Sequence, residues 1–192
     1  MSELVILLAL WIGYYFFHSF FASISAKNWF SDTMGLKGQK YRLFYSAFAI
    51  FSIIPVLIYA IQIESKPFII VNDYTKYFSL MFATFGILII NKVIKTYGFG
   101  EFIGLRTERN GGLIREGILS KVRHPIYSGV ILISLGFILF TPTLVALISC
   151  VVLYGYLFIG IRLEEKKLLE KHGQEYSKYK RQVPALVPRI KF

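Results

Sequence analysis

Arg123-His124-Pro125-Ile126-Tyr127 opens an apolar run that ends at Phe140, Thr141-Pro142-Thr143 turns it, and a second apolar run returns to Arg162-Leu163-Glu164-Glu165. Charge at both ends and none between reads as a helical hairpin with its two feet at water. Proline suits the first turn of a helix, where its missing N–H has no intrahelical partner to lose, so a helix start is predicted at Pro125. Thr141 can cap the returning helix and Pro142 can open it. That helix is predicted to continue past Arg162 to His172, where Gly173 supplies a stop. A short amphipathic helix with Tyr176 and Tyr179 follows, then a tail with Val183-Pro184 and Val187-Pro188. The outgoing arm has only about fifteen apolar residues, roughly 22 Å at about 1.5 Å per residue, against a hydrocarbon core of about 30 Å. Its feet are therefore drawn into the membrane edge, where polar groups are costly unless paired or wet.

Three more apolar blocks lie upstream: Glu3 to Ser25, Leu43 to Ile63 and Tyr74 to Tyr97. A polar loop over Lys27 to Arg42 is predicted between the first two, and Pro55 is expected to kink the second. The one long stretch that is not apolar runs from Gly98 to Arg123 and is rich in glycine. Of 192 residues, 55% are hydrophobic and 17% charged, and the mean hydropathy is +0.56. A soluble domain carries about 25% charged residues. The expected class is all-α, a multi-pass membrane bundle of roughly five transmembrane helices. No linker divides the chain, so one domain over 1–192 is expected, with three helices in 1–97 and the loop, hairpin and tail in 98–192.

The net charge of +11 is concentrated between the apolar blocks. Lys27, Lys37, Lys40 and Arg42 follow the first block; Arg106, Arg109, Arg115, Lys121 and Arg123 follow the third; the C-terminal segment is rich in both types. The other side receives Lys66 and Lys76 against Glu3, Glu64 and Asp73. The positive-inside rule then sets the N-terminus outside and the C-terminus in the cytoplasm. Charge so placed suits anionic lipid headgroups, and no nucleic-acid recognition motif accompanies it. Ala22-Ser23-Ile24-Ser25-Ala26 resembles a signal-peptide cleavage site, but Glu3 stands where a basic region belongs, so the first block reads as a retained helix. Cys150 is the only cysteine, which excludes an intrachain disulfide and a multi-cysteine metal site.

The polar groups at the hairpin feet are the candidate chemistry. Free N–H groups at a helix start favour an anion, Arg123 offers a fork for a carboxylate, and Tyr127 adds a ring and a hydroxyl. The same residues also suit a basic membrane anchor with an interfacial tyrosine. Arg162 and Glu165 share a helix face, and Glu164 and Glu165 can accept ribose hydroxyls or attract a cation. A solvated, charge-laced helix fits them equally well. A tight hairpin would bring Arg123, His124 and Tyr127 beside Arg162, Glu164 and Glu165. His18, an ionisable residue inside the first block, is a functional candidate by its location, with a structural hydrogen bond as the alternative. Arg42 could hold an acceptor carboxylate or a lipid phosphate. Glu101 could act as a base or pair with Arg106.

Residues Leu113 to Gly129, around Arg123-His124-Pro125-Ile126-Tyr127, resemble the core motif of the isoprenylcysteine carboxyl methyltransferase and phospholipid methyltransferase superfamily. Glu164-Glu165, Leu168, Gly173, Tyr176, Tyr179 and Val183-Pro184 resemble its C-terminal signature in the same order. His18-Ser19, Tyr41 to Tyr45 and Glu101 to Arg106 look more like the branch containing nurim and the methanethiol S-methyltransferases. The resemblance implies S-adenosylmethionine as cofactor, with His124 and Tyr127 lining its pocket and Glu164 or Glu165 helping to hold it; Arg123, Pro125 and Arg162, read from the hairpin feet, are the further cofactor-binding candidates. It implies a small thiol or a lipophilic acceptor, an isoprenylcysteine-like carboxylate or a lipid. Displacement at a sulfonium needs no metal; a thiol acceptor needs its proton removed, for which His18, Glu101 or a tyrosine could serve. The competing readings are a non-catalytic nurim-like membrane scaffold and an NADPH-dependent enzyme resembling sterol reductases.

Overall fold

The computed structural model describes residues 2–97 and 112–189. Among them the regular elements are helices: α1 (Ser2–Phe21), α2 (Ile24–Met34), α3 (Gly38–Gln62), α4 (Asp73–Tyr97), a 3-10 turn (Gly117–Ser120), α5 (Pro125–Phe140) and α6 (Leu144–Gln182). α1, α3, α4 and α6 are long and apolar enough to cross a membrane, while α5 is a shorter apolar helix. Its 16 residues span about 24 Å. Phe51, Ile58 and Ile61 on α3 face outward. A helix this apolar that buries so little against protein requires an apolar solvent, which the bilayer supplies.

Two stretches differ from the sequence reading. The polar loop expected over Lys27 to Arg42 is largely helical. Ser23 caps α2 by accepting from the Ala26 N–H at 3.1 Å, and Gly35 ends it at φ 66°. Ala26 and Phe30, one turn apart, are its buried residues, so a narrow apolar stripe holds an otherwise polar helix to the bundle. α3 then begins at Gly38 rather than Leu43 and continues through Pro55. At the hairpin tip the cap is Thr143, whose hydroxyl accepts from the Ala146 N–H at 3.2 Å, and not Thr141. The Phe68 N–H donates to Pro142 O at 2.8 Å, tying the α3–α4 connection to that tip.

α5 lies closest to α4, and glycine makes that approach possible. A Cβ on Gly86 would fall 2.5 Å from Gly129 O, and one on Gly136 would fall 2.6 Å from Ser79 O. The Ser79 hydroxyl donates to Gly136 O at 2.7 Å across the contact. Small residues that let two backbones touch are the usual way to join helices in lipid, where burial of apolar surface gives no drive. On the other side, Leu7, Trp11, Val56 and Ile63 form a core between α1 and α3. Trp11 Nε1–H donates to Ser149 Oγ of α6 at 2.9 Å. At the far end, Tyr176, Tyr179 and Val183 pack with Leu113, Leu168 and Leu169. The stop expected at Gly173 is a kink: φ 51° and ψ −123° redirect α6, and the helix resumes to Gln182. The Tyr179 hydroxyl donates to Leu119 O at 2.6 Å, which fastens the resumed helix to the 3-10 turn.

Candidate functional site at the feet of the hairpin

The apolar stretch of α6 gives way to charge at Arg162, and Glu165 turns inward there while Glu164 stays half-exposed. Glu165 is the hub. Its Oε1 accepts from Arg123 Nε at 3.0 Å and Nη2 at 2.6 Å, and lies 3.2 Å from His124 Nε2. Its Oε2 meets Lys180 Nζ at 2.7 Å. Burial alone would raise the Glu165 carboxyl; the hydrogen bonds from Lys180, Arg123 and His124 outweigh it and lower it to about 2. Arg123 Nη1 donates to Lys180 O at 3.0 Å and also to Val183 O. A guanidinium has five N–H donors, so most of this one is engaged within the chain. The backbone N–H groups of Arg123 and His124, which the sequence offered to an anion, donate to Pro184 O and Ala185 O, each at 2.9 Å. The Ser128 hydroxyl adds Leu186 O at 2.6 Å. The tail is thus stitched onto the start of α5.

What remains open faces Glu164. His124 Nδ1 is 3.5 Å from Glu164 Oε2. The His124 and Tyr127 rings lie nearly parallel, 5.5 Å apart at 14°. Pro125, buried at the first position of α5, holds this pair at the helix start. Arg162 points elsewhere: its guanidinium lies 4.0 Å over the Phe158 ring, a face that is exposed. Beside Arg123, the fully buried Tyr176 hydroxyl has no hydrogen-bond partner among the described residues.

His18 belongs to a second cluster. Tyr156 Oη lies 2.8 Å from its Nδ1 and Tyr45 Oη 2.9 Å from its Nε2. The Tyr15 and Tyr156 rings stack at 4.3 Å. Arg42 sits in the first turns of α3, half-buried, next to Tyr41, whose hydroxyl donates to Phe21 O at 2.5 Å. Glu101 and Arg106 lie outside the described residues. Lys180 and Tyr156 were not singled out from the sequence. Lys180 carried a weak signal, one helical turn beyond Tyr176 on the amphipathic end of α6; Tyr156 sits in an unbroken apolar run and carried none.

Four long apolar helices, a short hairpin arm and a carboxylate–histidine hub at its feet define a multi-pass helical protein with a polar site at the end of the bundle. The chain belongs to the NnrU protein family, which matches residues 3–190. Isoprenylcysteine O-methyltransferases and methanethiol S-methyltransferases are its distant relatives. It is 29% identical over 144 residues to protein-S-isoprenylcysteine O-methyltransferase B of Arabidopsis thaliana, with 73% of each chain covered. It is 42% identical over 71 residues to methanethiol S-methyltransferase of Crocosphaera subtropica, 36% of this chain and 26% of that protein. With methanethiol S-methyltransferase 2 of Bradyrhizobium diazoefficiens it shares 34% identity over 93 residues, 46% of this chain and 34% of the relative. The matched region therefore spans 34% or less of these two methanethiol enzymes.

Proposed function

We propose that this chain is an integral-membrane methyltransferase that uses S-adenosylmethionine and methylates a small thiol or a lipophilic acceptor at the cytoplasmic membrane face. The observation that carries the reading is the half-exposed Glu164 carboxylate, set beside His124, whose ring lies along that of Tyr127, on a frame that Glu165 locks. When bound, the cofactor supplies a methyl group already activated on a sulfonium. The residues present fit such a group: Glu164 suits a positive charge or ribose hydroxyls, and the His124–Tyr127 pair offers a flat aromatic wall. Arg123, Lys180 and Glu165 hold that wall in place rather than reach for the ligand. Pro125 fixes where the wall begins.

Alignment and exclusion of water are what such a site contributes to a displacement reaction. In the proposed topology the N-terminus faces outward and the C-terminus lies in the cytoplasm, because the basic residues of α2, the start of α3 and the C-terminal segment share one side. The proposed partners are the methyl acceptor and anionic membrane lipids, and neither a metal nor a nucleic acid has a part in this chemistry. Calorimetry with S-adenosylhomocysteine tests the assignment: wild type binds, and His124→Ala abolishes binding. Unchanged affinity in that variant would overturn it.

A further inference from the structure

A groove of about 290 Å³ runs between α4, the 3-10 turn and the C-terminal tail. On α4 it is walled by Phe85, Leu88, Ile89 and Lys92, whose spacing of three and four residues sets them on one helix face. The turn closes it with Ile118 and Lys121, and the tail with Leu186 and Pro188. Gly117 brings the turn against the end of α4, where a Cβ on it would stand 3.5 Å from the Thr96 hydroxyl. The tail wall is held from behind. Leu186 O accepts from the Ser128 hydroxyl at 2.6 Å, and Ala185 O accepts from the His124 N–H at 2.9 Å. Phe85 and Leu88 are more than half exposed, so the groove is open along α4.

We propose that this groove seats one anionic phospholipid of the surrounding bilayer, with its phosphate between Lys92 and Lys121 and the upper part of one acyl chain along Phe85, Leu88 and Ile89. Charge selects the headgroup. Two ammonium side chains line the groove, and no carboxylate does among the described residues. Neither lysine has an ion-pair partner among those residues. An ammonium carries three donors and no acceptor, which suits phosphate oxygens. Depth selects the rest of the ligand. Phe85 precedes Lys92 by seven residues, which places it about 10 Å further into the span. Lysines near the end of a spanning helix reach toward the headgroup level. The groove is thus basic at its outer end and apolar toward the middle of the bilayer, the polarity of a lipid. Size argues against an enclosed metabolite. Pockets that bury a whole small molecule run from about 300 to 1,000 Å³, and this one lies at the lower edge with an open side. A lipid leaves most of its chains in the bilayer and needs no enclosure. In the topology proposed above this end of α4 is cytoplasmic, where anionic lipids gather. The bound lipid covers the tail that receives the Arg123 and His124 N–H groups, so it stabilises the folded chain whether or not that chain transfers methyl groups.

The test titrates the full chain, in a mild non-ionic detergent, with dimyristoyl phosphatidylglycerol or dimyristoyl phosphatidylcholine and reads the first bound lipid by native mass spectrometry. Wild type takes up phosphatidylglycerol more tightly than phosphatidylcholine. Each lysine near an anionic lipid contributes about five-fold in affinity, so Lys92→Gln with Lys121→Gln weakens the first phosphatidylglycerol by about 25-fold and leaves phosphatidylcholine unchanged. Lys37→Gln with Lys40→Gln removes as much charge from exposed positions elsewhere and leaves the first site at its wild-type affinity. Leu88→Trp fills the open side with both lysines in place and weakens phosphatidylglycerol too. A large excess of inorganic phosphate does not displace the lipid. Saturating phosphatidylglycerol raises the melting temperature of wild type and of the Lys37/Lys40 variant, but not of the Lys92/Lys121 variant. Equal losses in the two double variants would make the attraction a diffuse surface charge and overturn the proposal. Equal affinity of wild type for the two lipids, undiminished binding in Leu88→Trp, or displacement by phosphate would each overturn it as well.

Discussion

Arg123 and Glu165 meet through two N–H donors on one carboxylate oxygen, at 3.0 and 2.6 Å, with both side chains only 9% exposed. That pairing joins the first residues of the hairpin to the helix that returns from it. Through Val183 and Lys180 it also clamps the tail. Two residues read as ligand-binding candidates thus hold the scaffold on which Glu164, His124 and Tyr127 are presented.

Removing one partner leaves the other buried and uncompensated, which costs about 3–5 kcal/mol for a buried pair. Arg123→Ala is expected near the lower figure, because Lys180 and His124 still face Glu165. Thermal unfolding in detergent reads it. Arg123→Lys recovers only part of the loss, since an ammonium cannot supply the fork.

The lowered Glu165 carboxyl makes stability depend on acid. Its folded pKa of about 2 lies below the unfolded value of about 4.3. Its contribution is therefore complete above about pH 4.3 and is lost as pH falls toward 2. Melting temperature measured from neutral pH down to about pH 3 should decline in wild type and decline less in Glu165→Gln.

The glycine contact between α4 and α5 cannot admit side chains. Gly86→Leu would drive carbon into Gly129 O, and Gly136→Val would strike the Ser79 backbone. Each is expected to destabilise by at least about 1–3 kcal/mol, the usual cost of overpacking. Gly155→Ala, with nothing within 4 Å of its added carbon, is the matched control and leaves the melting temperature unchanged.

Glu164 and Glu165 should separate cleanly. Glu164→Gln keeps the Arg123–Glu165–Lys180 frame, so its melting temperature stays near wild type while S-adenosylhomocysteine binding weakens by about 1.5–3 kcal/mol, the scale of a hydrogen bond to a charged group. Glu165→Gln lowers both. Equal melting losses for the two variants would refute this division of roles.

Much of this was legible in the chain. The apolar blocks marked the long helices, and Pro125 and Gly173 marked the start of α5 and the bend in α6. α2 was missed although Ser23 and Gly35 are ordinary cap signals. Lys27, Asn28 and Asp32 outweighed the stripe of Ala26 and Phe30, whose burial depends on α1 and α3 being alongside. At the hairpin tip, Thr141 and Thr143 are equally good caps, and the bond from Phe68 to Pro142 O belongs to a turn that local propensity cannot see.

By itself the sequence determined the long apolar helices and the polar feet of the hairpin, because hydropathy and capping are written along the chain at fixed spacing. Only the tertiary structure decided which polar group meets which. Arg123 turns to Glu165 and the tail, Arg162 to Phe158, and His18 to Tyr45 and Tyr156. Those partnerships depend on how far each helix is rotated about its axis. That rotation is set by contacts between distant residues, above all the glycine approach of α4 to α5 and the aromatic layer around Trp11 and Tyr15.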